Sequence, residues 1–117
     1  MFKQIWNLLK GSSNPNDLSG ADFKAKYTET PNAIMLDVRT KAEVNSGILK
    51  GAKNIDFFSS NFKTEVQKLD KNKTYFVYCR SGNRSKQAAL KLENLGYTNL
   101  YEFGGIITWP YEIEGGT

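Results

Sequence analysis

The segment from Thr74 to Tyr78 constrains the fold of this chain more than any other part of the sequence. Its residues, TYFVY, are all β-branched or aromatic, which is the composition typical of a strand. Cys79 follows directly, and after a short loop residues 84–95, which are rich in helix formers and precede Gly96, predict a helix. A strand, a short loop and a helix in that order indicate a β-α-β unit and hence a parallel sheet.

Three other segments have the pattern of strands. Residues 33–36 (AIML) are continuously apolar, which is typical of a strand covered on both faces of a sheet. Residues 52–55 and 99–103 predict two further strands. Helical segments lie between these strands, so the sequence predicts an α/β fold with a mostly parallel sheet and helices on both faces.

The predicted helices have recognisable beginnings. Ser19 and Asp22 have the spacing of a capping box ahead of a helix over residues 20–27. Thr40 and Glu43 predict the same motif for a short helix, so we interpret Glu43 as a capping residue rather than a catalytic acid. Another helix is indicated by three apolar residues on one face, which are Phe62, Val66 and Leu69.

Residue types that the chain lacks exclude several kinds of site. The sequence has no histidine and a single cysteine. These counts exclude a Cys–His dyad, a Ser–His–Asp triad, a histidine-based metal site and a thiolate zinc cluster, so we expect neither a metal nor a cofactor. The net charge of +4 is spread along the chain without a basic block, and nucleic-acid binding is therefore not expected.

The sequence divides into three predicted regions. Residues 1–16 are an amphipathic segment and a linker, residues 17–112 are the folded domain, and residues 113–117 are a frayed tail. Four apolar residues of the first region recur at helical spacing, namely Phe2, Ile5, Trp6 and Leu9. We favour a terminal helix docked on the domain, with contact of residues 1–10 with a membrane surface or a partner as the alternative. The lack of a secretion signal and the free thiol favour a cytoplasmic location.

Polar residues follow two of the predicted strands. Asp37-Val38-Arg39 ends the strand that begins at residue 33, and Cys79 follows the strand that ends at Tyr78. The carboxyl ends of parallel strands meet at one edge of a sheet, where ligands bind in folds of this type. We therefore expect Arg39 and Cys79 at the same edge.

The six residues from Cys79 to Arg84 have the composition of an anion-binding loop. Gly82 can adopt a positive φ, so that successive backbone N–H groups point inwards, and the next helix adds unpaired N–H groups and a positive dipole. Arg80 and Arg84 add positive charge. Such surroundings favour a thiolate, and Cys79 is predicted to be a nucleophile. The alternative is that Cys79 is a small apolar residue that ends a core strand.

Four motifs in order resemble those of single-domain rhodaneses, the modules of thiosulfate sulfurtransferase type. They are Asp37-Val38-Arg39, Gly47 to Ile55 (GILKGAKNI), Cys79 to Arg84 (CRSGNR) and Gly104 to Trp109 (GGIITW). The resemblance covers residues 17–112 and implies one rhodanese-like domain whose central, mostly parallel sheet has five strands. One departure is Ile48, which stands where the family commonly has the histidine of a Gly-His-Ile sequence.

The resemblance also implies a reaction and a set of site residues. The Cys79 thiolate would take a sulfane sulfur from a donor such as thiosulfate and pass it from a persulfide to cyanide or a thiol. The loop residues implied in substrate binding are Arg80, Ser81, Gly82, Asn83 and Arg84. Arg39 is assigned to substrate contact and Asp37 and Ser85 to support. The alternative is that Asp37 and Arg39 simply pair with each other or cap a neighbouring element. The implied partners are a small anionic donor, a thiol or cyanide acceptor, and a sulfur-relay protein.

Two other functions stay open at this point. A cysteine phosphatase or arsenate reductase also uses a thiolate in an anion loop, but those loops place five residues between cysteine and arginine. Here four residues separate Cys79 from Arg84. A sulfur carrier or redox-sensing module without turnover would have the same loop as an enzyme. Because the chain has no second cysteine, an external thiol must resolve a persulfide or sulfenic acid on Cys79.

Overall fold

The computed structural model describes residues 17–109, 111 and 113–114. In chain order the elements are β1 (Asp17–Leu18), α1 (Gly20–Glu29), β2 (Ala33–Asp37), α2 (Lys41–Val44), β3 (Ile48–Leu49), β4 (Lys53–Asn54), α3 (Phe62–Val66), β5 (Thr74–Tyr78), α4 (Asn83–Asn94), β6 (Leu100–Phe103), a 3-10 helix (Ile106–Thr108) and β7 (Ile113–Glu114). The amphipathic segment predicted over residues 1–16 lies outside the described residues. In residues 17–109, 111 and 113–114, no helix has the length and apolar character that a membrane span requires.

Five strands form the central sheet, in the order β1-β6-β5-β2-β4, and every neighbouring pair is parallel. This arrangement confirms the predicted α/β fold and its five-stranded parallel sheet. In the pairing of β2 with β5, Asp37 lies opposite Tyr78, and each is the last residue of its strand. The residues that follow, Arg39 and Cys79, therefore lie at the same carboxyl edge, as predicted.

Helices cover both faces of the sheet, because alternate residues of a buried strand point to opposite faces. On one face the sheet packs against α3 and α4, and the buried residues there include Leu36, Val66, Val77, Ala88 and Leu92. On the other face it packs against α1, and the buried residues there include Phe23, Met35, Phe76 and Phe103. The strand pattern of β5 thus reflects burial on both sides.

The helix-start signals agree with the structure. Thr40 and Glu43 form a complete capping box at α2, since each side chain accepts a hydrogen bond from the other residue's backbone N–H. Ser19 accepts a hydrogen bond from the backbone N–H of Asp22 at the start of α1. Both helices begin where the sequence places them.

The C-terminal part of the chain differs from the prediction. The sequence predicted a frayed tail from residue 113, whereas Ile113–Glu114 form β7 and pair antiparallel with Ile48–Leu49 of β3. β3 lies outside the main sheet, and its backbone N–H and C=O groups need partners. They pair with the backbone of β7 in a separate two-stranded sheet. Strands of two residues have no measurable period, so the sequence pattern did not reveal either one. Residues 115–117 lie outside the described residues.

Candidate active site

A tight turn after β5 places Cys79 at the base of a loop. The chain leaves the sheet at Tyr78 and enters α4 through Gly82, whose φ of 111° lies in the region that side chains avoid. A Cβ added at Gly82 would lie 2.9 Å from the carbonyl oxygen of Gly104. Only glycine fits this position, and it turns the backbone back towards the sulfur.

The segment after β6 forms the floor of this loop. The backbone N–H of Ile106 donates to the carbonyl oxygen of Cys79 at 2.9 Å, and that of Ile107 donates to the carbonyl oxygen of Arg80 at 3.2 Å. At Gly105 the two backbones touch, because an added Cβ would lie 2.6 Å from the amide nitrogen of Ser81. Residues 105–107 therefore hold the first part of the loop in place.

The sulfur of Cys79 is buried and hydrogen-bonded. Cys79 is 1% exposed, and its Sγ accepts a hydrogen bond from the backbone N–H of Gly82 at 2.9 Å. The Oγ of Ser85 lies 3.4 Å from the same sulfur. A thiolate accepts such hydrogen bonds more strongly than a thiol does, so the donor at Gly82 favours the nucleophilic form.

A buried carboxyl group lies behind Ser85. The Oε2 of Glu102 is 2.5 Å from the Oγ of Ser85, and both residues are 0% exposed. Ser85 also lies 3.1 Å from the carbonyl oxygen of Gly82. Glu102 was not among the predicted site residues, although a charged residue inside an apolar strand is a usable signal of a buried, partnered carboxyl.

Arg84, at the end of the loop, forms an ion pair with Glu43. Its guanidinium donates to both carboxylate oxygens, at 2.5 and 2.9 Å. The hydrogen bond from Arg84 lowers the pKa of Glu43 to about 2, against the opposing effect of burial and with help from the Thr40 backbone. Glu43 is therefore the predicted capping residue, and it also holds the arginine that the sequence assigned to the substrate.

Asp37 and Arg39 form a buried pair at the same edge. Arg39 donates to Asp37 from Nε at 3.0 Å and from Nη2 at 2.8 Å, and the two residues are 4% and 0% exposed. Arg39 also donates to the carbonyl oxygen of Gly47 at 2.5 Å. The pairing that the sequence analysis left open is present, and it ties the end of β2 to the start of β3.

A shallow cavity lies beside the loop and contains two of the predicted cationic residues. Its volume is about 290 Å³, and its lining residues are Arg39, Glu43, Ser46, Gly47, Arg80, Ile106, Ile107 and Ile113. Three of the predicted loop residues are exposed, namely Arg80, Ser81 and Asn83. The edge thus combines a buried sulfur, exposed loop residues and a cavity with positively charged side chains, which is a suitable site for an anionic substrate.

The structure defines an α/β domain with a buried thiol at the turn between β5 and α4, and known proteins share this fold. The family model described as a rhodanese-like domain matches residues 19–109. A sulfurtransferase of Allochromatium vinosum is 28% identical over 95 residues, which are 80% of this chain and 87% of that protein. A tRNA sulfurtransferase of Shewanella halifaxensis is 39% identical over 88 residues, which are 68% of this chain and 18% of that protein.

Solved structures agree with this result. The crystal structure of a rhodanese-related protein from Thermoplasma volcanium superposes with a TM-score of 0.73 and 29% sequence identity, covering 85% of this chain and 97% of that chain. The chain belongs to the rhodanese-like domain family. The resemblance drawn from its four motifs is thereby confirmed.

Proposed function

We propose that this domain is a sulfurtransferase that moves a sulfane sulfur from an anionic donor such as thiosulfate to cyanide or a thiol through a persulfide on Cys79. The observation that carries the proposal is the hydrogen bond of 2.9 Å from the Gly82 N–H to the Cys79 Sγ, at the base of a loop that leads into a helix. That arrangement supports a thiolate and a negatively charged sulfur next to it.

The reaction proceeds in two displacements. In the first, the Cys79 thiolate attacks the outer sulfur of thiosulfate, and the bond between the two sulfur atoms of the donor breaks, so that sulfite leaves with the electron pair. In the second, the acceptor attacks the terminal sulfur of the persulfide and the Cys79 thiolate leaves. Each step conserves charge, and the sulfur carries no proton when it attacks.

The loop stabilises the persulfide anion. The terminal sulfur of the persulfide would lie among the backbone N–H groups that follow Cys79. It would also face the first turn of α4, a helix of 12 residues. Arg80 is exposed and lines the neighbouring cavity, where it attracts the donor anion. Arg39 lines the same cavity, where its guanidinium is paired with Asp37 and holds the end of β2 in place.

The position of Arg84 favours sulfur transfer over phosphate chemistry. An oxyanion-binding loop uses its arginine to hold the substrate with two parallel hydrogen bonds, whereas Arg84 already directs one N–H of each terminal nitrogen to the Glu43 carboxylate. The loop of four residues between Cys79 and Arg84 also encloses less space than a tetrahedral phosphoryl group needs. A reactive thiol of this kind fits a reducing compartment such as the cytoplasm, where a thiol partner is available to accept the sulfur.

Turnover distinguishes the proposed enzyme from its alternatives. With thiosulfate and cyanide in excess, we expect continuous formation of thiocyanate, and Cys79→Ser should form none. Release of a single equivalent followed by no further product would favour a sulfur carrier. Hydrolysis of an aryl phosphate by the wild type, without thiocyanate formation, would overturn the proposal in favour of a phosphatase.

A further inference from the structure

We propose that Glu102 accepts the proton of the Cys79 thiol, through the hydroxyl group of Ser85. The inference deepens the proposed function, and it rests on that function only in taking Cys79 as the nucleophile. Glu102 does not touch the reacting sulfur, so it is a positioning and proton-holding residue rather than a catalytic one.

The three side chains form a continuous buried line. The Sγ of Cys79 lies 3.4 Å from the Oγ of Ser85, and that oxygen lies 2.5 Å from the Oε2 of Glu102. The residues are 1%, 0% and 0% exposed. Three different parts of the fold supply them, which are the loop directly after β5, the first turn of α4 and the interior of β6. A proton can therefore pass along the line without entering water.

The proton transfer from Cys79 to Glu102 conserves atoms and charge. In the resting state the thiol S–H points at the Oγ of Ser85, whose O–H points at the carboxylate of Glu102. The S–H bond breaks as Ser85 takes that proton, and the hydroxyl group gives its own proton to the Oε2 of Glu102. The products are a thiolate, an unchanged serine and a neutral carboxylic acid, and no oxidant or reductant is needed.

This exchange avoids placing two negative charges in the interior. A thiolate beside an ionised Glu102 would be disfavoured, because like charges at short range and low dielectric repel strongly. When the proton moves from the sulfur to the carboxyl, the total charge of Cys79, Ser85 and Glu102 stays at one negative charge. Two groups coupled in this way titrate as a pair, so the fraction of thiolate stays constant while the pair holds one proton.

Charged groups on the neighbouring elements set the balance between the form with a thiol and a carboxylate and the form with a thiolate and a neutral carboxylic acid. On α4, the Nζ of Lys86 lies 3.9 Å from the Oε1 of Glu102, and its side chain is 43% exposed. The loop contributes Arg80 and Arg84. Lys86 favours the carboxylate form and so makes Glu102 a weaker proton acceptor.

The test measures the rate at which iodoacetamide alkylates Cys79 as a function of pH, with no sulfur donor present. Between about pH 5 and pH 8, from above the ordinary carboxyl range to just below that of a thiol, we expect a flat rate in the wild type. Glu102→Gln and Ser85→Ala each break the line, and their rates should rise about tenfold per pH unit, as for an isolated thiol. A wild-type rate that rises in this way and matches Glu102→Gln would overturn the inference.

A second experiment measures the same alkylation rate in Lys86→Met, which leaves Cys79, Ser85 and Glu102 unchanged. Loss of the lysine should make Glu102 a better proton acceptor and raise the plateau rate by about two- to fivefold, the range expected for a partly exposed ion pair. The matched control Lys91→Met removes the same charge from the exposed face of the same helix and should leave the rate unchanged. A lower rate in Lys86→Met would overturn the inference, because a lysine that simply attracts the thiolate gives that sign.

This measurement is independent of sulfur transfer. A flat wild-type profile without any thiocyanate formation would leave the proton path standing and reject the sulfurtransferase. Thiocyanate formation with a steep wild-type profile would support the sulfurtransferase and reject the proton path.

Discussion

The guanidinium of Arg84 donates hydrogen bonds to both carboxylate oxygens of Glu43, at 2.5 and 2.9 Å. The two residues are separated by 41 positions, and the pair joins the capping box of α2 to the first turn of α4. The last residue of the loop is thereby fixed to a second element of the sheet edge. Arg84 thus holds the shape of the loop, and the exposed Arg80 supplies charge to an incoming anion.

The Glu43–Arg84 pair should make the domain sensitive to acid. The pKa of Glu43 falls to about 2 from an ordinary value of 4.5, chiefly through Arg84. A carboxyl whose pKa is lower in the folded state stabilises the protein above its unfolded pKa, and this stability is lost as the pH falls through the folded value. We expect the free energy of unfolding to drop by about 1 to 2 kcal/mol between pH 4.5 and pH 2, allowing for solvent screening.

Urea denaturation at a series of pH values measures this loss. Glu43→Gln lacks the titrating group and should show a correspondingly flatter dependence over the same range. An equal loss of stability in the wild type and in Glu43→Gln would show that the pair does not carry the effect.

Two adjacent glycines give a sharp test of the loop floor. Gly105→Ala would force a Cβ against the backbone of Arg80 and Ser81, whereas a Cβ at Gly104 meets nothing within 4 Å. We expect Gly105→Ala to lose about 2 to 4 kcal/mol of unfolding free energy and most of its sulfur transfer, because neither backbone can yield without moving the loop. Gly104→Ala should stay within about 1 kcal/mol of the wild type. Similar behaviour of the two variants, by urea denaturation and thiocyanate assay, would contradict this account.

The buried pair of Asp37 and Arg39 should matter far more than an exposed one. Asp37→Asn leaves a buried arginine without its counter-ion, at a cost of about 3 to 5 kcal/mol in unfolding free energy. The exposed pair of Glu65 and Lys68 supplies the control, and Glu65→Gln should cost less than about 1 kcal/mol. Chemical denaturation compares the two variants. A loss for Asp37→Asn no larger than that for Glu65→Gln would argue against a structural role for the buried pair.

Arg80 should act on substrate capture rather than on the chemical step. It is exposed and lines the cavity beside the loop, so Arg80→Ala should raise the KM for thiosulfate by about three- to tenfold and leave kcat nearly unchanged. Lys91→Ala removes the same charge from a distant part of α4 and serves as the control. The difference between the two variants should shrink at high salt, where exposed charges are screened. A fall in kcat with an unchanged KM would place Arg80 in the chemistry instead.

Local patterns predicted the parts of this molecule that depend on neighbouring residues. The apolar run of β5, the helix α4 and the capping box at Thr40 all follow from residues within a few positions of one another, and each lies within a residue or two of its predicted place. The common edge of Arg39 and Cys79 follows from strand direction alone.

Contacts between distant segments could not be predicted in the same way. The pair of Glu43 with Arg84 and the contact of Ser85 with Glu102 depend on which elements lie side by side, and the spacing of residues does not contain that information. The family resemblance assigned Arg84 to the substrate because Arg84 matches the position at the end of the loop. It does not show which carboxylate the folded chain brings within reach.

Intact-mass spectrometry after incubation with thiosulfate tests the central claim most directly, because Cys79 is the only cysteine in the sequence. We predict that the wild type gains the mass of one sulfur atom, that cyanide removes it as thiocyanate, and that Cys79→Ser gains no mass. A wild type that gains no mass, or a Cys79→Ser variant that gains as much as the wild type, would contradict the assignment of Cys79 as the sulfur-carrying nucleophile.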